Sequence, residues 1–456
     1  MLFPLITTPY VTRVLTNEGY GIYSYTFTNI QYFVLIAGLG ITIYGNREIA
    51  YSAGEKNKYY ISRVFWEIVI LKFISTLIAI ILFLILLLFN VRYKLLMCVQ
   101  VLNILNVAFD ISWLYMGLEK FSIIVFRNTL IKLFSLALIF LFVKNQDDLL
   151  IYILIMAGSL LGGNLTLWPQ LKSIVEIVPV RKLHPLRHLR ASLLLFLPQV
   201  AIQFYMQINK TALGIMISPK DSGYYYSSDT IIKVLLSVVT ATGTVMLPHA
   251  SKAFSEGKVE QVKKMLYHSF DFVSFISIPM AFGVAAVSLK MAPWFLGRGY
   301  SAVGKVMMIE SIIIVLDAWG NVIGEQYLLP IKQTRKYTNA IIMGTITNLI
   351  IFYPFIKLWG LFGAMISYCL SELAVFVYQL LIVRNSFNLG KIFYNFKKYF
   401  ISGLLMFVIV FYINSILDMS FLSLSIEVLV GILCYILAIL CLKPIILIMV
   451  TKYLKR

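Results

Sequence analysis

The chain has 456 residues, of which 60% are hydrophobic and only 13% charged, and its formal net charge at pH 7 is +19. The apolar residues form uninterrupted stretches of about twenty, the length that a helix needs to cross a bilayer, without the alternation of a lipid-facing β-barrel. This composition predicts an integral membrane protein and excludes nucleic acid as a partner, because the basic residues lie in short loops and form no basic face on a soluble domain.

Fourteen helical spans are predicted in chain order. The first seven cover residues 1–14, 20–44, 64–89, 95–116, 121–143, 149–171 and 191–216. The second seven cover residues 224–247, 270–289, 306–328, 338–356, 358–383, 400–416 and 428–450. The first span reaches only about 21 Å at 1.5 Å per residue, so we expect this helix to be truncated and its true start to lie upstream.

Short sequence similarities indicate an internal duplication. The pentapeptide at residues 50–54 (AYSAG) recurs at residues 253–257 (AFSEG), each time after a long apolar run, and Trp113 has a counterpart in Trp319. Chance similarity between apolar segments is the alternative. Six spans per copy is an even number, which predicts parallel repeats, the arrangement that gives many secondary transporters a central path.

The predicted fold is therefore an all-α polytopic membrane protein with about 14 transmembrane helices, in two parallel six-helix repeats around a central cavity. Residues 1–171 are predicted to form the N-terminal bundle and residues 191–385 the C-terminal bundle, joined by a basic linker at 172–190. Residues 386–456 add a helix pair and a tail. Lys and Arg are concentrated in the even-numbered loops, which predicts that both termini and the linker are cytoplasmic.

Charged side chains inside spans are the first candidates for function, because each costs roughly 2.5 to 3.5 kcal/mol at mid-bilayer on insertion scales. The basic residues of this set are Lys72, Arg127, Lys132, Lys210 and Lys233. The acidic residues are Asp110, Asp229, Asp317 and Glu372. The excess of basic groups is compatible with an anionic substrate whose phosphates are held by Arg and Lys.

Several of these charges also have a purely structural explanation. Asp229 and Lys233 are four residues apart in the favourable order for an intrahelical ion pair. Lys210 can extend from a helix end to the interface, and Arg127 can belong to a cytoplasmic loop. Lys132 has no acid three or four residues away and is the hardest to explain by pairing.

The acids leave two alternatives open. Asp317 and Glu372 can be protonated and hydrogen-bonded across helices, or they can titrate, with Asp110 as a third candidate, in an ion-coupling route. No P-loop, G-x-S-x-G or H-E-x-x-H motif occurs, so we expect neither nucleotide hydrolysis nor a cofactor, and transport driven by an ion, potential or substrate gradient. The linker histidines, His184 and His188, are predicted to be solvated, because the cations beside them would repel a metal ion.

Short segments in both halves of the chain are similar to those of one known family. In the first half they are Pro4-Leu-Ile-Thr-Thr-Pro9-Tyr10, Arg13-Val-Leu, Glu18-Gly-Tyr-Gly21-Ile-Tyr23-Ser24, Gly40-Ile41, Tyr44-Gly45, Arg47-x-x-Ala50 and Trp113-x-x-x-Gly117-x-Glu119. In the second half they are Lys210-Thr211-Ala212-Leu213-Gly214, Gly223-x-Tyr225 and Leu247-Pro248 with Ser251. With these residues the chain resembles the Wzx-type polysaccharide flippases of the multidrug/oligosaccharidyl-lipid/polysaccharide exporter superfamily.

The resemblance implies a bacterial plasma-membrane flippase that is not an enzyme. It would move an undecaprenyl-diphosphate-linked oligosaccharide from the cytoplasmic to the outer leaflet by alternating access, for capsule, O-antigen or exopolysaccharide synthesis. Other polysaccharide assembly proteins would be partners. It also implies that Arg13, Arg47 and Lys210 meet the anion, although Asn209 stands where the family often has an acid. The alternatives are a multidrug or metabolite exporter of the same fold and a membrane-embedded glycan polymerase or acyltransferase.

Overall fold

The computed structural model describes residues 3–54, 58–89 and 92–444, and the elements in this part of the chain are helices and connecting turns. The helices of the first half are α1 (Phe3–Val14), α2 (Thr16–Gly38), α3 (Ile41–Gly54), α4 (Lys58–Leu88), α5 (Lys94–Phe109), α6 (Ser112–Gly117), α7 (Phe121–Phe142) and α8 (Leu149–Leu165). Those that follow are α9 (Leu189–Met216), α10 (Pro219–Ser255), α11 (Val259–Leu296), α12 (Ser301–Ile323), α13 (Thr334–Val383), α14 (Leu389–Ile392), α15 (Phe396–Ile416) and α16 (Phe421–Leu442).

The predicted all-α membrane architecture is confirmed. Ten helices in the described ranges are long and apolar enough to cross a membrane, and one of them, α13, is broken at Gly360 by a left-handed backbone with φ of 56°. This break lies within three residues of the predicted boundary between the eleventh and twelfth spans. The total of fourteen spans stays a prediction.

The chain folds as two compact units. The first unit is Val14–Gly214, and the second unit combines Met1–Arg13 with Ile215–Arg456. This grouping differs from the predicted halves in two helices, because α1 groups with the second unit and nearly all of α9 with the first. The division into two parallel six-helix repeats therefore stays a prediction from the sequence.

Corresponding aromatic pairs recur in the two units. Trp113 stacks on Phe65 in the first unit with ring centroids 5.6 Å apart, and Trp319 stacks on Phe270 in the second at 5.4 Å. In both cases a tryptophan of a fourth span packs on a phenylalanine of the preceding span. In the first unit Gly45 lets the helix approach this ring, since a Cβ there would lie 2.6 Å from Trp113. The tryptophan pair noted in the sequence thus occupies an equivalent core position.

The repeated pentapeptide ends a helix in both units. Residues 50–54 are the last residues of α3, and residues 253–257 close α10, where Gly257 has a φ of +72° and the Lys258 N–H donates to Ala253 O at 2.9 Å. This left-handed glycine is a common helix C-terminal motif. Both copies of the pentapeptide therefore lie at helix ends.

The two units differ in the helix before this motif. α10 runs unbroken for 37 residues, whereas α2 ends at Gly38 and α3 begins at Ile41. Leu39 and Gly40 both have positive φ, and a Cβ on Gly40 would lie 2.8 Å from the Ser192 carbonyl oxygen of α9. Glycine is required there because the backbone of α9 touches the break.

Candidate functional site

A break in the fourth predicted span places two of the candidate charges together in the first unit. α5 ends at Phe109, and Asp110 has an extended backbone before α6 begins. The ammonium of Lys72, which is 1% exposed, donates to the Asp110 carbonyl at 2.5 Å and lies 3.6 Å from its carboxylate. Asp110 Oδ1 also accepts from the Ser112 N–H at 3.0 Å. The carboxylate therefore neutralises Lys72 and caps α6, which is a structural role.

Arg127 joins this polar network from α7. Its Nη1 donates to Asn164 Oδ1 at 2.5 Å and its Nη2 to Asn128 Oδ1 at 2.7 Å, while Asn164 donates to Asn106 Oδ1 at 2.6 Å. In the part of the chain that the structure describes, the Nε of Arg127 has no hydrogen-bond partner. Amide oxygens therefore hold the guanidinium in place without neutralising it.

The network of the first unit is cationic as a whole. It contains two cations, Lys72 and Arg127, and one carboxylate, Asp110, and the remaining members are neutral amides. A guanidinium that is held by neutral amides, with a buried Nε that has no partner among the described residues, favours an anion such as a phosphate, which can accept several charge-assisted hydrogen bonds.

The second unit carries the opposite balance. Asp229 and Lys233 form the intrahelical pair expected from their spacing, with an N···O distance of 2.9 Å. The Lys233 ammonium also interacts electrostatically with Glu310 and Asp317 of α12. Glu310 is 1% exposed and accepts a hydrogen bond from the Ser228 hydroxyl.

More acids extend this cluster. Glu325 accepts from Asn321 Nδ2 at 2.7 Å in a single turn of π-helix, Gly324–Leu328, that continues α12. Glu372 lies half-buried on α13 and, like Asp317 and Glu325, acts electrostatically on Tyr337. π-Helical turns often occur at functional sites. The acids in this part of the second unit outnumber Lys233, so the region suits a proton or another cation.

The remaining predicted cations are Arg13, Arg47, Lys132 and Lys210. Arg13 is exposed and donates to the Trp294 carbonyl at 2.5 Å, at the end of α11. Arg47 is exposed on α3, with its guanidinium carbon 5.8 Å from the centroid of the Tyr44 ring. Lys132 is exposed on α7, and Lys210 is buried in α9 with 3% exposure. The structure thus joins Lys72, Asp110 and Arg127, and leaves the roles of these four as predictions.

A buried carboxylate that the sequence reading passed over organises the linker. Glu67 of α4 has a fully buried side chain that accepts from Arg63 Nε at 3.0 Å and from the His184 N–H at 2.9 Å. Its other oxygen lies 2.5 Å from Arg187 and 2.9 Å from His188. One carboxylate therefore attaches the linker to α4 through three of the linker's polar groups.

The expectation that both linker histidines are solvated is wrong for His188. This residue is 2% exposed, and its Nδ1 lies 2.6 Å from the Tyr44 hydroxyl oxygen. Burial lowers the pKa of the His188 ring, so we expect it to be neutral at neutral pH. No group of His, Cys, Asp and Glu in the described ranges could hold a metal ion.

The sequence did contain a signal for the two buried acids that the sequence analysis did not name, Glu67 and Glu310. Glu67 and Glu310 both lie inside predicted spans, as do the acids that were singled out. An acid buried in a span needs a partner, and this rule applies to every such acid. What the sequence lacked was the identity of the partner, because His188 and Arg187 are more than a hundred residues from Glu67.

Comparisons with known proteins show which family the chain belongs to. A protein-family model described as "Polysaccharide biosynthesis protein" matches residues 1–254. Among curated proteins, the chain is 24% identical over 398 residues to the "Putative O-antigen transporter" of Escherichia coli (strain K12), covering 84% of this chain and 93% of that protein. A protein of the same description from Shigella dysenteriae is 21% identical over 387 residues, covering 84% of this chain and 96% of that protein.

Two solved structures show the fold. The structure titled "Lipid II flippase MurJ, inward closed conformation" matches with a TM-score of 0.72 at 17% identity, over 96% of this chain and 95% of that chain. An inward-facing multidrug resistance MATE family transporter of the MOP superfamily matches with a TM-score of 0.66 at 14% identity, over 84% and 95% of the two chains. At these identities the likeness shows a shared fold.

Proposed function

The chain belongs to the polysaccharide biosynthesis protein family, and on this basis we propose that it is a flippase for a lipid-linked oligosaccharide. The substrate is an undecaprenyl-diphosphate-linked repeat unit, moved from the cytoplasmic to the outer leaflet of the bacterial plasma membrane for surface polysaccharide synthesis. Both termini are cytoplasmic in this proposal. The E. coli and Shigella relatives carry an O-antigen transporter name, and the MurJ neighbour is titled a lipid II flippase, which supports a lipid-linked glycan as the class of substrate.

The observation that carries the proposal is the incompletely neutralised guanidinium of Arg127. A diphosphate needs positive donors that are not already paired with protein carboxylates. The Arg127 guanidinium bonds amide oxygens, and its buried Nε has no hydrogen-bond partner among the described residues. Lys72 lies in the same network, where Asp110 neutralises it. Arg13, Arg47, Lys132, Lys210 and Lys233 remain proposed contacts of the substrate.

Depletion of the protein in its host tests the direction of transport. We expect lipid-linked repeat units to accumulate in the cytoplasmic leaflet, because synthesis continues while translocation stops. The leaflet is read from the accessibility of the glycan to an added glycosidase, in intact spheroplasts and in lysed ones. Accumulation in the outer leaflet, or none at all, would contradict the flippase proposal.

The acids of the second unit are proposed to couple transport to a cation gradient. Replacing Asp317 with Asn should reduce the stimulation of transport by an imposed proton gradient at least about fivefold, the lower end of typical coupling energies. Transport is measured in proteoliposomes with and without the gradient. Glu256→Gln, which removes an exposed acid of the same unit paired with Lys258, is the matched control. Full stimulation in both Asp317→Asn and Glu372→Gln would exclude this route.

The same acidic cluster would also suit a second function, the export of cationic drugs. A cationic drug would be bound by carboxylates, and the second unit supplies them in excess over Lys233. If the protein were a multidrug exporter, proteoliposomes would accumulate a fluorescent organic cation under a proton gradient, and the lipid-linked oligosaccharide would not compete with it. Family membership favours the glycan, so we expect no cation uptake.

A further inference from the structure

The ring of His188 is the central group in the contacts between the linker and the helices on which it packs. Its Nε2 lies 2.9 Å from the Glu67 carboxylate of α4, and its Nδ1 lies 2.6 Å from the Tyr44 hydroxyl oxygen of α3. All three residues are buried, with exposed fractions between 0% and 4%. One imidazole ring therefore joins the linker to two helices of the first unit.

These neighbours determine where the ring carries its proton at neutral pH. An ionised carboxylate can only accept hydrogen bonds, so the His188 Nε2 donates to Glu67 and the neutral ring keeps its lone pair on Nδ1. The Tyr44 hydroxyl then donates to Nδ1. Both ring nitrogens therefore have a partner while His188 is neutral, as buried polar atoms require.

A second proton on His188 would enter a site that already holds two cations. The Arg187 Nε lies 3.2 Å from His188 Nε2, and the Arg187 Nη2 lies 2.5 Å from Glu67 Oε2. This is the same carboxylate oxygen that His188 contacts. Arg63 donates to the other oxygen of Glu67 at 3.0 Å. Two guanidinium groups thus share one carboxylate, and a charged imidazole would be a third cation on it.

Helix α3 adds one acid and one base to these surroundings. Glu48 lies one turn after Tyr44 and interacts electrostatically with both Tyr44 and His188. Arg47, whose guanidinium carbon lies 5.8 Å from the centroid of the Tyr44 ring, acts in the opposite sense on Tyr44. While His188 is neutral, three guanidinium groups face two carboxylates, which is an excess of one positive charge. Protonation of the ring raises this excess to two.

We propose that this cluster is a pH-sensitive latch, which holds the linker segment at residues 180–187 while His188 is neutral and frees it when the ring is protonated. The charged ring and Arg187 then compete for Oε2 of Glu67. Arg187 leaves, because its side chain is 38% exposed and reaches water, whereas that of His188 is 3% exposed. The linker before His188 thereby loses its charged attachment to α4.

Hydrogen–deuterium exchange of the purified full-length protein, between about pH 8 and about pH 5.5, tests the latch. The measured quantity is the protection of the linker amides, corrected at each pH for the exchange rate of an unfolded peptide. One of these amides is the His184 N–H, which donates to Glu67 at 2.9 Å. The neutral ring favours the attached linker, so protection should be constant above about pH 6.5 and fall up to about tenfold per pH unit below it.

Three variants separate His188 from the other titratable groups. His188→Gln keeps an amide that can donate to Glu67 but cannot be charged, so its protection should stay constant over the whole range. His184→Gln is the matched control, because the exposed His184 ring lies in the same linker, and it should keep the wild-type pH dependence. In Arg187→Gln the protonated ring has no competitor for Oε2 of Glu67, so acid should no longer lower the protection.

Each of three results would overturn the latch. An equal fall of protection in the wild type and in His188→Gln would assign the effect to protonation of a carboxylate. A wild-type linker whose protection does not change with pH would exclude release by acid. An unchanged acid response in Arg187→Gln would exclude the competition for Glu67. Exchange is measured without substrate, so these results do not depend on the flippase proposal, which the cellular accumulation assay tests.

Discussion

Replacing Arg127 with Gln should slow translocation of the lipid-linked oligosaccharide roughly 10- to 100-fold, because a hydrogen bond to a charged group contributes about 1.5 to 3 kcal/mol. The substitution removes the positive charge and the guanidinium donors and leaves a shorter, neutral amide. Arg127→Lys should be intermediate, since a lysine keeps the charge but cannot bond Asn164, Asn128 and a phosphate in one fixed plane. Initial rates in proteoliposomes provide the measurement.

A control on the same helix separates this contact from general electrostatics. Lys120 is exposed directly before α7, seven residues before Arg127, and Lys120→Gln removes the same charge. Its transport rate should stay close to that of the wild type. Equal rates in Arg127→Gln and Lys120→Gln, with normal expression and melting temperature, would remove Arg127 from the substrate site.

Replacing Glu67 with Ala should destabilise the protein by about 3 to 5 kcal/mol, the usual cost of removing one partner from a buried ion pair. Arg63, Arg187, His188 and the His184 N–H would lose their common acceptor inside the protein. The linker would then detach from α4. We expect a lower melting temperature in detergent and faster tryptic cleavage after Arg187.

Glu176 provides the matched control for Glu67. It is a linker acid whose side chain is 52% exposed and lies 3.4 Å from Lys58. Exposed ion pairs contribute about 0 to 1 kcal/mol, so Glu176→Ala should melt close to the wild type. If Glu67→Ala and Glu176→Ala behaved alike in melting and in proteolysis, the Glu67 contacts would not be what holds the linker.

The two units share a scaffold and differ in charge. Equivalent Trp and Phe rings stack in both, yet the first unit places Arg127 and Lys72 around one carboxylate and the second surrounds Lys233 with acids. A duplicated fold can keep its packing positions while its buried polar residues diverge, because ring stacking depends on shape and ion binding on charge. This difference in charge agrees with the proposal that the first unit binds the anionic substrate and the second unit binds a coupling cation.

Local patterns in the chain predicted most of the fold. Apolar stretches of about twenty residues indicated the helices, because a bilayer has no water to satisfy an open backbone. The Asp229 and Lys233 pair followed from a spacing of four residues on one helix. The break of α13 at Gly360 lies close to the predicted boundary between the eleventh and twelfth spans. A glycine permits this break because it adopts a positive φ at little cost.

The sequence by itself determined the membrane class and the family resemblance, and it predicted the helical spans and the duplication, because each depends on short-range periodicity or on matching residues. Only the tertiary structure decided which charges meet. Lys72 and Asp110 are 38 residues apart, Arg127 and Asn164 are 37, and Glu67 and His188 are 121. No local pattern encodes such pairs, since each depends on which helix faces turn toward one another. The close approach of α7 and α8 arises in the same way, at Gly163, where a Cβ would collide with Ile131.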